Sequence, residues 1–520
     1  MSYLNNGRST ISGAARLALL SAALGLAGSV AAADTTRVIV QFKPGMAASA
    51  KAAISAARGA VKLELPALDA FAVEVPAAAL QALQRNPHFA LVEEDVKRYP
   101  LALSSSSKGP YFEGQQVPYG ITLVQADQLP DTGAGNRKLC IIDSGYDRAH
   151  EDLRANPADG QYDRGTGWWY TDENHHGTHV AGTIAAVNNA GTGVVGVAPG
   201  ARLKLHIVKV FSAEGWAYSS TLAAAANQCG DVGANVISMS LGGGRPSKLE
   251  MLTFERLQAK GVLSVAAAGN DGTGAILFPA GYSNVLMVGA LDQNKAWAPF
   301  SQYNYKVELA APGVGVLSTV PMNGATEAAL TVGARAYAPG AMEGSPKTSA
   351  SAPLADFGLG DKLNLAVAGK VCLIARGTVD FATKVVNCQN SGGVGAVVYN
   401  NVAGSFGGTL GSTVTVIPSV TSSDTEGAAM RTQLGQGAAV AVKGVHYAIY
   451  NGTSMATPHV SAVAALVWSY FPGCTGLQMR ASLTKSALDL GTPGRDDKFG
   501  YGLVQAKAAH DRIKKFGCGN

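Results

Sequence analysis

Short, nearly continuous apolar runs constrain the fold of this sequence more than any other feature. Four such runs, at residues 139–142, 205–210, 236–239 and 262–268, alternate with helix-like stretches between residues 117 and 319. Strands with one wet face alternate apolar and polar residues, whereas strands buried on both faces are apolar throughout. We therefore expect an α/β fold in which helices cover both faces of a mainly parallel sheet.

This α/β pattern is preceded by a separate unit and is interrupted once. Residues 36–100 carry alternating strand-like runs and two helical stretches, which predicts a small α+β unit. A Ser-rich stretch at 100–109 follows and is typical of an exposed linker where a chain is processed. From about residue 321 to 443, Ala, Gly, Ser and Thr dominate, and the α/β pattern resumes at Tyr447. An inserted domain explains both breaks.

The first 33 residues are typical of a secretion leader. Arg8 and Arg16 precede an apolar stretch at 17–30, and Ala31, Ala32 and Ala33 follow it as small residues suited to cleavage. About 14 apolar residues are too few for a spanning helix, which needs roughly 20. We expect a Sec-type signal peptide at 1–33, a bacterial source, and a secreted mature protein that does not bind membranes.

The composition excludes two classes of protein. Charged residues make up 15% and hydrophobic residues 47% of the 520, which does not suit a solvated, disordered chain. The net charge is only +5, from 41 basic and 36 acidic residues, and no Lys/Arg block is present to follow a phosphate backbone. We therefore expect no nucleic-acid partner, and we expect a monomer.

Three segments place polar residues where strands or helices should end. Asp143 directly follows the apolar run 139–142, and the carboxyl ends of parallel strands form the ligand crevice of open α/β sheets. His175, His176 and His179 lie at the start of a helix-like segment. Ser454 stands just ahead of an apolar helix, whose N-terminal N–H groups favour a developing oxyanion. Each segment alone is weak evidence for catalysis.

Taken together, these segments resemble the subtilisin-like (subtilase) family of serine endopeptidases. The order and local contexts of Asp143, His176 and Ser454 are similar to the three catalytic signatures of that family. The run ending at Asn270 resembles its oxyanion-hole strand, and residues 238–243 resemble its substrate-binding strand. The resemblance covers residues 115–320 and 447–510, and it implies a subtilisin-like three-layer fold.

The resemblance implies a role for each catalytic residue. Ser454 is the nucleophile, and His176 accepts its proton and later donates it to the leaving amine. Asp143 orients the histidine and stabilises its charged form. Asn270 donates its side-chain amide to the oxyanion.

Zinc binding by the neighbouring histidines is a poor alternative. His175, His176 and His179 are close in sequence but lack the glutamate of an HExxH motif. In the family motif the base directly precedes Gly-Thr-His, which selects His176.

Substrate contact is implied for Ser240, Leu241 and Gly242, which resemble a strand that pairs with the backbone of an extended protein or peptide substrate. Backbone reading predicts broad specificity. Residues 277–280 resemble one wall of the pocket for the residue before the scissile bond, and Asp271 could bias the rim of that pocket.

A structural calcium ion is the one cofactor that the resemblance suggests. Gln115, Asp152 and Asn189 resemble ligands of the family's strong site, and oxygen ligands of this kind suit Ca²⁺. The loop around Asn189 has one extra residue, and a hydrogen-bonded loop is the equally weighted alternative.

The flanking regions resemble known accessories of the family. Residues 34–103 resemble the inhibitory propeptide, with processing expected between about 101 and 113, and residues 325–445 resemble a β-rich protease-associated (PA) domain that modulates access of large substrates. The catalytic domain would then be discontinuous, at 112–324 and 446–520.

Six cysteines are scattered, with no zinc-like spacing, which fits disulfides in an exported protein. Cys372 and Cys388, within the PA-like region, are the best candidate pair, and Cys474 and Cys518 are the next. Cys140 and Cys229 remain, either paired or free.

Two rival interpretations remain. An inert binding protein could keep the scaffold and use the insert to dock peptides. The second rival is a serine carboxyl peptidase, which would need a glutamate as its base. His176, within the subtilase-like motif, argues against that interpretation.

Overall fold

The computed structural model of the chain describes residues 35–100, 103–104, 116–189, 193–213 and 215–520. The predicted signal peptide at 1–33 and most of the linker lie outside these residues. Two compact units divide between Glu94 and Asp95, whereas the predicted propeptide extends to residue 103. No described helix is long and apolar enough to cross a membrane.

The first unit is a four-stranded antiparallel sheet with two helices, in the strand order β2-β3-β1-β4. Alternate residues of its first strand, Val38, Val40 and Phe42, face one hydrophobic cluster, as the alternating pattern predicts. The elements are β1 (Thr35–Phe42), α1 (Ala47–Ala56), β2 (Ala60–Leu65), β3 (Ala70–Pro76), α2 (Leu80–Gln84) and β4 (Phe89–Glu94).

The second unit begins with two short strands and continues into alternating strands and helices. The elements up to the insert are β5 (Lys97–Pro100), β6 (Leu103–Ser104), α3 (Tyr119–Leu123), β7 (Lys138–Asp143), β8 (Ala158–Gly160), α4 (His176–Ala185), β9 (Lys204–Lys209), β10 (Ala217–Tyr218), α5 (Ser219–Asp231), β11 (Val236–Met239), β12 (Leu241–Gly242), α6 (Lys248–Ala259), β13 (Leu263–Ala267), β14 (Val285–Leu291), β15 (Val307–Pro312) and β16 (Val316–Thr319).

The insert consists mostly of one sheet, and four elements follow it. The strand order of this eight-stranded sheet is β18-β17-β24-β20-β21-β22-β23-β19. The elements are β17 (Ala325–Val332), β18 (Arg335–Tyr337), β19 (Gly340–Ala341), β20 (Ser349–Asp356), β21 (Val371–Ala375), α7 (Phe381–Asn390), β22 (Gly395–Tyr399), β23 (Ser419–Ser422), α8 (Asp424–Arg431) and β24 (Gly437–Val445), then β25 (Tyr447–Asn451), α9 (Thr453–Tyr470), α10 (Gly476–Lys485) and α11 (Ala506–Phe516).

The main sheet has seven strands in the order β15-β14-β13-β11-β7-β9-β8, and every neighbouring pair is parallel. The two faces of β7 show its layering. Leu139 and Ile141 pack in the same cluster as residues of α4 and α9, whereas Cys140 and Ile142 pack with α5 and α6. The sheet is therefore the middle of three layers, which confirms the predicted α/β class.

Helix α9 crosses the core of this domain. Every residue from Thr453 to Ser469 is buried, which fits a helix that is apolar on all sides. Pro458 lies inside the helix and lacks the N–H that would bond to the carbonyl of Ser454. The hydroxyl of Ser240 donates to that carbonyl instead, at 2.8 Å, so the helix start is tied to the end of β11.

Three disulfides link the described cysteines. The two candidate pairs of the sequence analysis are present, Cys372–Cys388 and Cys474–Cys518. The pair left open at the sequence level, Cys140–Cys229, is also joined and ties β7 to α5. No described cysteine is free.

We expect the Cys140–Cys229 bond to contribute more stability than the Cys372–Cys388 bond. The first closes a separation of 89 residues and the second one of 16, which in a chain-entropy model stabilise by about 4.5 and about 3 kcal/mol. All four cysteines are fully buried, so replacing each pair by alanines removes similar packing. Urea midpoints of the two double variants, measured without reductant, should rank accordingly, and an equal loss would contradict the loop-length explanation.

Candidate functional site

Asp143 and His176 form a buried pair at the carboxyl edge of the main sheet. Asp143 ends β7, and His176 is the first residue of α4. Oδ1 of Asp143 lies 2.7 Å from Nδ1 of His176 and accepts the N–H of Ser144 at 2.7 Å. The aspartate is 0% and the histidine 3% exposed. The carboxylate therefore fixes the ring and directs Nε2 away from itself.

The pKa of His176 is raised above its ordinary value. Burial alone would lower it, but the charge and hydrogen bond of Asp143 outweigh burial, and the charge of Asp172 adds to them. Nε2 of His176 is buried and has no hydrogen-bond partner among the described residues. A buried imidazole with one nitrogen on a carboxylate and the other unpartnered is suited to accept a proton.

Ser454 is the second residue of α9, which packs against α4. Its hydroxyl donates to the carbonyl of Ser240 at 2.9 Å, and its side chain is fully buried. Gly452, just before the helix, has φ of 150° and ψ of 155°, a region that residues with a Cβ rarely adopt. The glycine thus allows the sharp entry that sets the serine in the first turn.

Asn270 follows β13 and is anchored to the start of α9. Its side-chain oxygen accepts the backbone N–H and the hydroxyl of Thr453, both at 2.9 Å. An amide oxygen accepts and an amide nitrogen donates, so these contacts fix the orientation of the group and assign the nitrogen as its donor end. The structure thus brings Asn270 and Ser454 to the same helix terminus.

Two residues that the sequence did not single out hold the start of α4. Asp172 accepts the N–H and the hydroxyl of Thr178 through Oδ2, at 2.8 and 2.6 Å, and the hydroxyl of Ser144 through Oδ1 at 2.8 Å. Ser144 in turn accepts the N–H of Gly177 at 2.8 Å. Asp172 is six residues before Thr178, outside the usual capping spacing, so only the fold reveals its role.

Two other histidines near the site are uncharged. His179 lies 3.1 Å from the carbonyls of Val316 and Ala448, and burial lowers its pKa to about 3. His459 contacts the carbonyl of Met455 at 2.8 Å, and burial lowers its pKa to about 4. Neither of them contacts a carboxylate, whereas His176 contacts Asp143.

The strand of Leu241 and Gly242 is paired along its length. Leu241 is opposite Pro100 and Gly242 opposite Tyr99, antiparallel, so β5 runs beside β12. On its other edge β5 pairs with β10. Farther along the chain, β6 pairs with β25, just ahead of α9. Strand β5 therefore lies beside the strand that follows Ser240, and β6 lies beside the strand that leads to α9.

The segment is also anchored by its side chains. Asp95 is buried and accepts the N–H of Ser220 at 2.8 Å and the hydroxyl of Ser219 at 3.1 Å, which satisfies the start of α5. Next to β12, Gly243 exchanges two backbone hydrogen bonds with Phe278, at 2.8 and 2.9 Å. Residues 277–280 thus adjoin the end of the substrate-like strand pair.

The predicted calcium ligands form a hydrogen-bonded loop. Asn189 donates to Oδ1 of Asp152 at 2.5 Å, and Val194 N–H donates to Oδ2 at 2.8 Å. These groups therefore hydrogen-bond to each other in the part of the loop that the structure describes. Gln115 lies outside the described residues. Calcium stays a prediction, and we derive no step from it.

Sequence models of two families match the chain. The subtilase family model (Peptidase_S8) matches residues 135–356 and 394–502, which is more than half of the chain, and the PA domain model matches residues 329–430.

Individual relatives agree with the family models. An alkaline protease from Alkalihalobacillus alcalophilus is 38% identical over 274 residues, 51% of this chain and 66% of that protein, just under two thirds of its length. Subtilisin Savinase from Lederbergia lenta is 43% identical over 223 residues, 42% of this chain and 78% of that protein. The crystal structure of the psychrophilic subtilisin-like protease Apa1 from the Antarctic psychrotroph Pseudoalteromonas sp. AS-11 is similar with a TM-score of 0.56 and 41% identity, over 78% of this chain and 100% of that one.

We expect Asp172→Asn to lower the pKa of His176. The neutral amide keeps one of the two oxygen acceptors and loses the negative charge that favours the imidazolium. Titration of the His176 ring by NMR should show the ring losing its proton at lower pH than in the wild type. The exposed Asp231→Asn is the matched control and should leave the titration unchanged. An unchanged His176 titration in Asp172→Asn would mean that the Asp172 charge does not reach the ring.

Proposed function

The chain belongs to the subtilase family of serine-type endopeptidases, and from this premise we propose that it cleaves peptide bonds in proteins with Ser454 as nucleophile. His176 acts as general base and Asp143 orients it. The observation that carries the proposal is the buried 2.7 Å contact between Asp143 and His176, on a helix packed against the one that begins at Thr453.

The first chemical step is proton transfer from Ser454 to His176. A serine hydroxyl is a weak nucleophile at its ordinary pKa, so its attack needs a base. The unpartnered Nε2 of His176 supports this role. Since the hydroxyl donates to the Ser240 carbonyl at 2.9 Å, we propose that it rotates towards His176 when a substrate binds. Attack on the scissile carbonyl then forms a tetrahedral intermediate.

The oxyanion of that intermediate accepts hydrogen bonds from the Asn270 amide and from the N–H of Ser454. The first N–H groups of a helix have no partner inside it, and the positive end of the helix dipole lies there. The Thr453 contacts that hold the Asn270 oxygen support the amide nitrogen as the donor. These donors are held before the charge develops, which is what makes such sites effective.

Collapse of the intermediate requires the same histidine to act as an acid. His176 gives its proton to the leaving amine, while Asp143 stabilises the imidazolium until the proton has left. The peptide bond breaks and the acyl group stays on Ser454. Water then attacks the ester with His176 again as base, and the acid product leaves.

We also propose that the protein is made as a self-processing precursor. Residues 34–103 act as the inhibitor, and the leader at 1–33 directs export. The antiparallel pairing of β5 with β12 and β10 supports this, because an extended substrate would add to the same strands. A chain that occupies them excludes other substrates until it is cut and released. The three disulfides support an oxidising compartment.

Ser454→Ala should block both processing and hydrolysis. The precursor mass should persist, casein should not be cut, and a fluorophosphonate probe should label the wild type alone. Ser461→Ala, a buried serine two turns along the same helix, is the control and should process and label normally. If wild type and Ser454→Ala are processed identically and neither hydrolyses casein, the chain is an inert binding protein rather than an enzyme.

Asn270→Asp separates oxyanion binding from structure. The aspartate keeps an oxygen for Thr453 but has no amide donor, so kcat should fall by about 10²- to 10³-fold. The thermal midpoint should stay close to that of the wild type, since the anchoring contacts remain. A loss confined to KM, or a kcat within about threefold of the wild type, would contradict the assignment of Asn270 as an oxyanion donor.

A further inference from the structure

We propose that Glu250 forms a subsite that selects an arginine four residues before the scissile bond, both in the chain's own precursor and in the proteins it cleaves. The inference rests on the proposed endopeptidase activity and deepens it. A subsite of this kind makes the specificity narrower than backbone recognition alone predicts, because the charge of Glu250 selects one side chain of the substrate.

The proposal starts from a buried ion pair between the cleft segment and the catalytic domain. Nη2 of Arg98 lies 2.5 Å from Oε2 of Glu250, and both side chains are almost completely buried, at 1% and 0% exposed. Arg98 is one of the largest fully buried side chains of the described chain. Buried arginines and glutamates are rare unless paired, so this contact is specific.

The carboxylate of Glu250 is built into the wall that receives Arg98. Oε2 also lies 2.8 Å from the hydroxyl of Tyr282, which accepts the N–H of Ser247 at 2.7 Å. Burial, followed by the charge of Glu250, raises the pKa of Tyr282, so the phenol keeps its proton. A protonated phenol on one side and a guanidinium on the other suit an ionised carboxylate.

The position beside the guanidinium has no side chain. A Cβ at Gly243 would lie 3.1 Å from Nη1 of Arg98 and 2.5 Å from the carbonyl of Lys97. Gly243 therefore leaves room for a long side chain and its backbone to lie close to the wall. The absence of a side chain at Gly243 accommodates the arginine, and Glu250 supplies the charge that pairs with it.

The register of the strands gives the position of Arg98 relative to Ser454. Gly242 pairs with Tyr99 and Leu241 with Pro100. Ser240 directly precedes this strand, and its carbonyl accepts the Ser454 hydroxyl. Counting one residue on from Pro100, we infer that the scissile bond follows Leu101. Residues 101 and 102 lie outside the described residues, so the count is taken from the described pairs.

The exit of the segment agrees with this count. Leu103 pairs with Asn451 and Ser104 with Tyr450, on the strand that leads into α9. The inferred cut therefore falls in sequence between the two described strand pairings. Cleavage after Leu101 makes Arg98 the fourth residue before the bond, at the start of the predicted processing range of 101–113.

Removal of the propeptide leaves Glu250 to select the substrate side chain that takes the place of Arg98. When the segment leaves, Glu250 loses its cation. A substrate with an apolar residue at this position would not return the guanidinium that Arg98 supplies in the precursor, and removing one partner of a buried ion pair is costly. An arginine restores the pair, and a glutamate adds a second negative charge. Discrimination by an unpaired buried group is typically on the order of 100-fold or more.

The direct test uses the mature wild-type enzyme and quenched peptides with the sequence of residues 95–106, varied only at the position of Arg98. We expect kcat/KM to fall by about 100-fold or more when arginine is replaced by citrulline, a neutral isostere, or by leucine, and further with glutamate. Product masses should locate the cut after Leu101. Cleavage of arginine and citrulline peptides within about threefold of each other, or a cut elsewhere, would overturn the proposal.

A variant assigns the preference to the residue. In Glu250→Gln the advantage of arginine over citrulline should collapse to about threefold or less. Glu255→Gln, an exposed glutamate on the same helix, should keep it. If Glu250→Gln folds and retains the preference, Glu250 is not its source; if it does not fold, the wild-type peptide series still decides. In the precursor, Arg98→Leu should slow self-processing more than Arg98→Lys, and equal rates would contradict the proposal.

The outcomes separate this inference from the proposed function. An enzyme that cuts neither casein nor any of the peptides fails the proposed function itself. An enzyme that cuts casein and the peptides without regard to charge at this position is an endopeptidase whose Arg98–Glu250 pair serves only the precursor, and the inference alone is then wrong.

Discussion

Burial of α9 along its length is the constraint on which the rest of the site depends. A close-packed helix with no exposed face cannot shift without opening cavities in the core. Its first turn is therefore fixed at the edge of the sheet where β7 and β13 end. Asp143 is the last residue of β7, and Asn270 lies three residues beyond the end of β13. Pro458 adds to this, because the carbonyl it leaves without a helical partner is taken by Ser240. The nucleophile is positioned by core packing rather than by a loop.

A second consequence of burial is that charge is confined to few groups. His179 and His459 lie on carbonyls, and burial keeps them neutral. His176 is also buried, but the carboxylate of Asp143 stabilises its charged form, so its pKa is raised. The site thus contains one histidine that can carry a proton through a reaction cycle. The contacts of Asp172 with Thr178 hold the start of α4, and with it His176, in place.

The sequence predicts the parts of this protein that depend on local patterns. The apolar runs predict buried parallel strands because burial on both faces removes polar positions, and β11, β13 and β14 are fully buried. Pairings over long separations escape such reasoning. The Cys140–Cys229 bond and the Arg98–Glu250 pair, 89 and 152 residues apart, join residues whose neighbours in sequence carry no signal of the partner. The contact of Asp172 with Thr178 is local, but its spacing matches no capping motif. The Asp152–Asn189 contact shows another limit of sequence reasoning. Residues that resemble calcium ligands in sequence can also hydrogen-bond to each other.

The Arg98–Glu250 pair explains how one contact can serve both maturation and specificity. A buried ion pair adds little net stability compared with apolar packing, but removing one partner leaves a costly unpaired charge. In the precursor this asymmetry holds the segment in the cleft, because leaving would expose Glu250 without a cation. After cleavage, the cut segment is no longer anchored on both sides of Ser454, and water can reach the carboxylate as it departs. The same asymmetry then favours a substrate that returns a guanidinium, so the inhibitor and the preferred substrate are recognised by the same group.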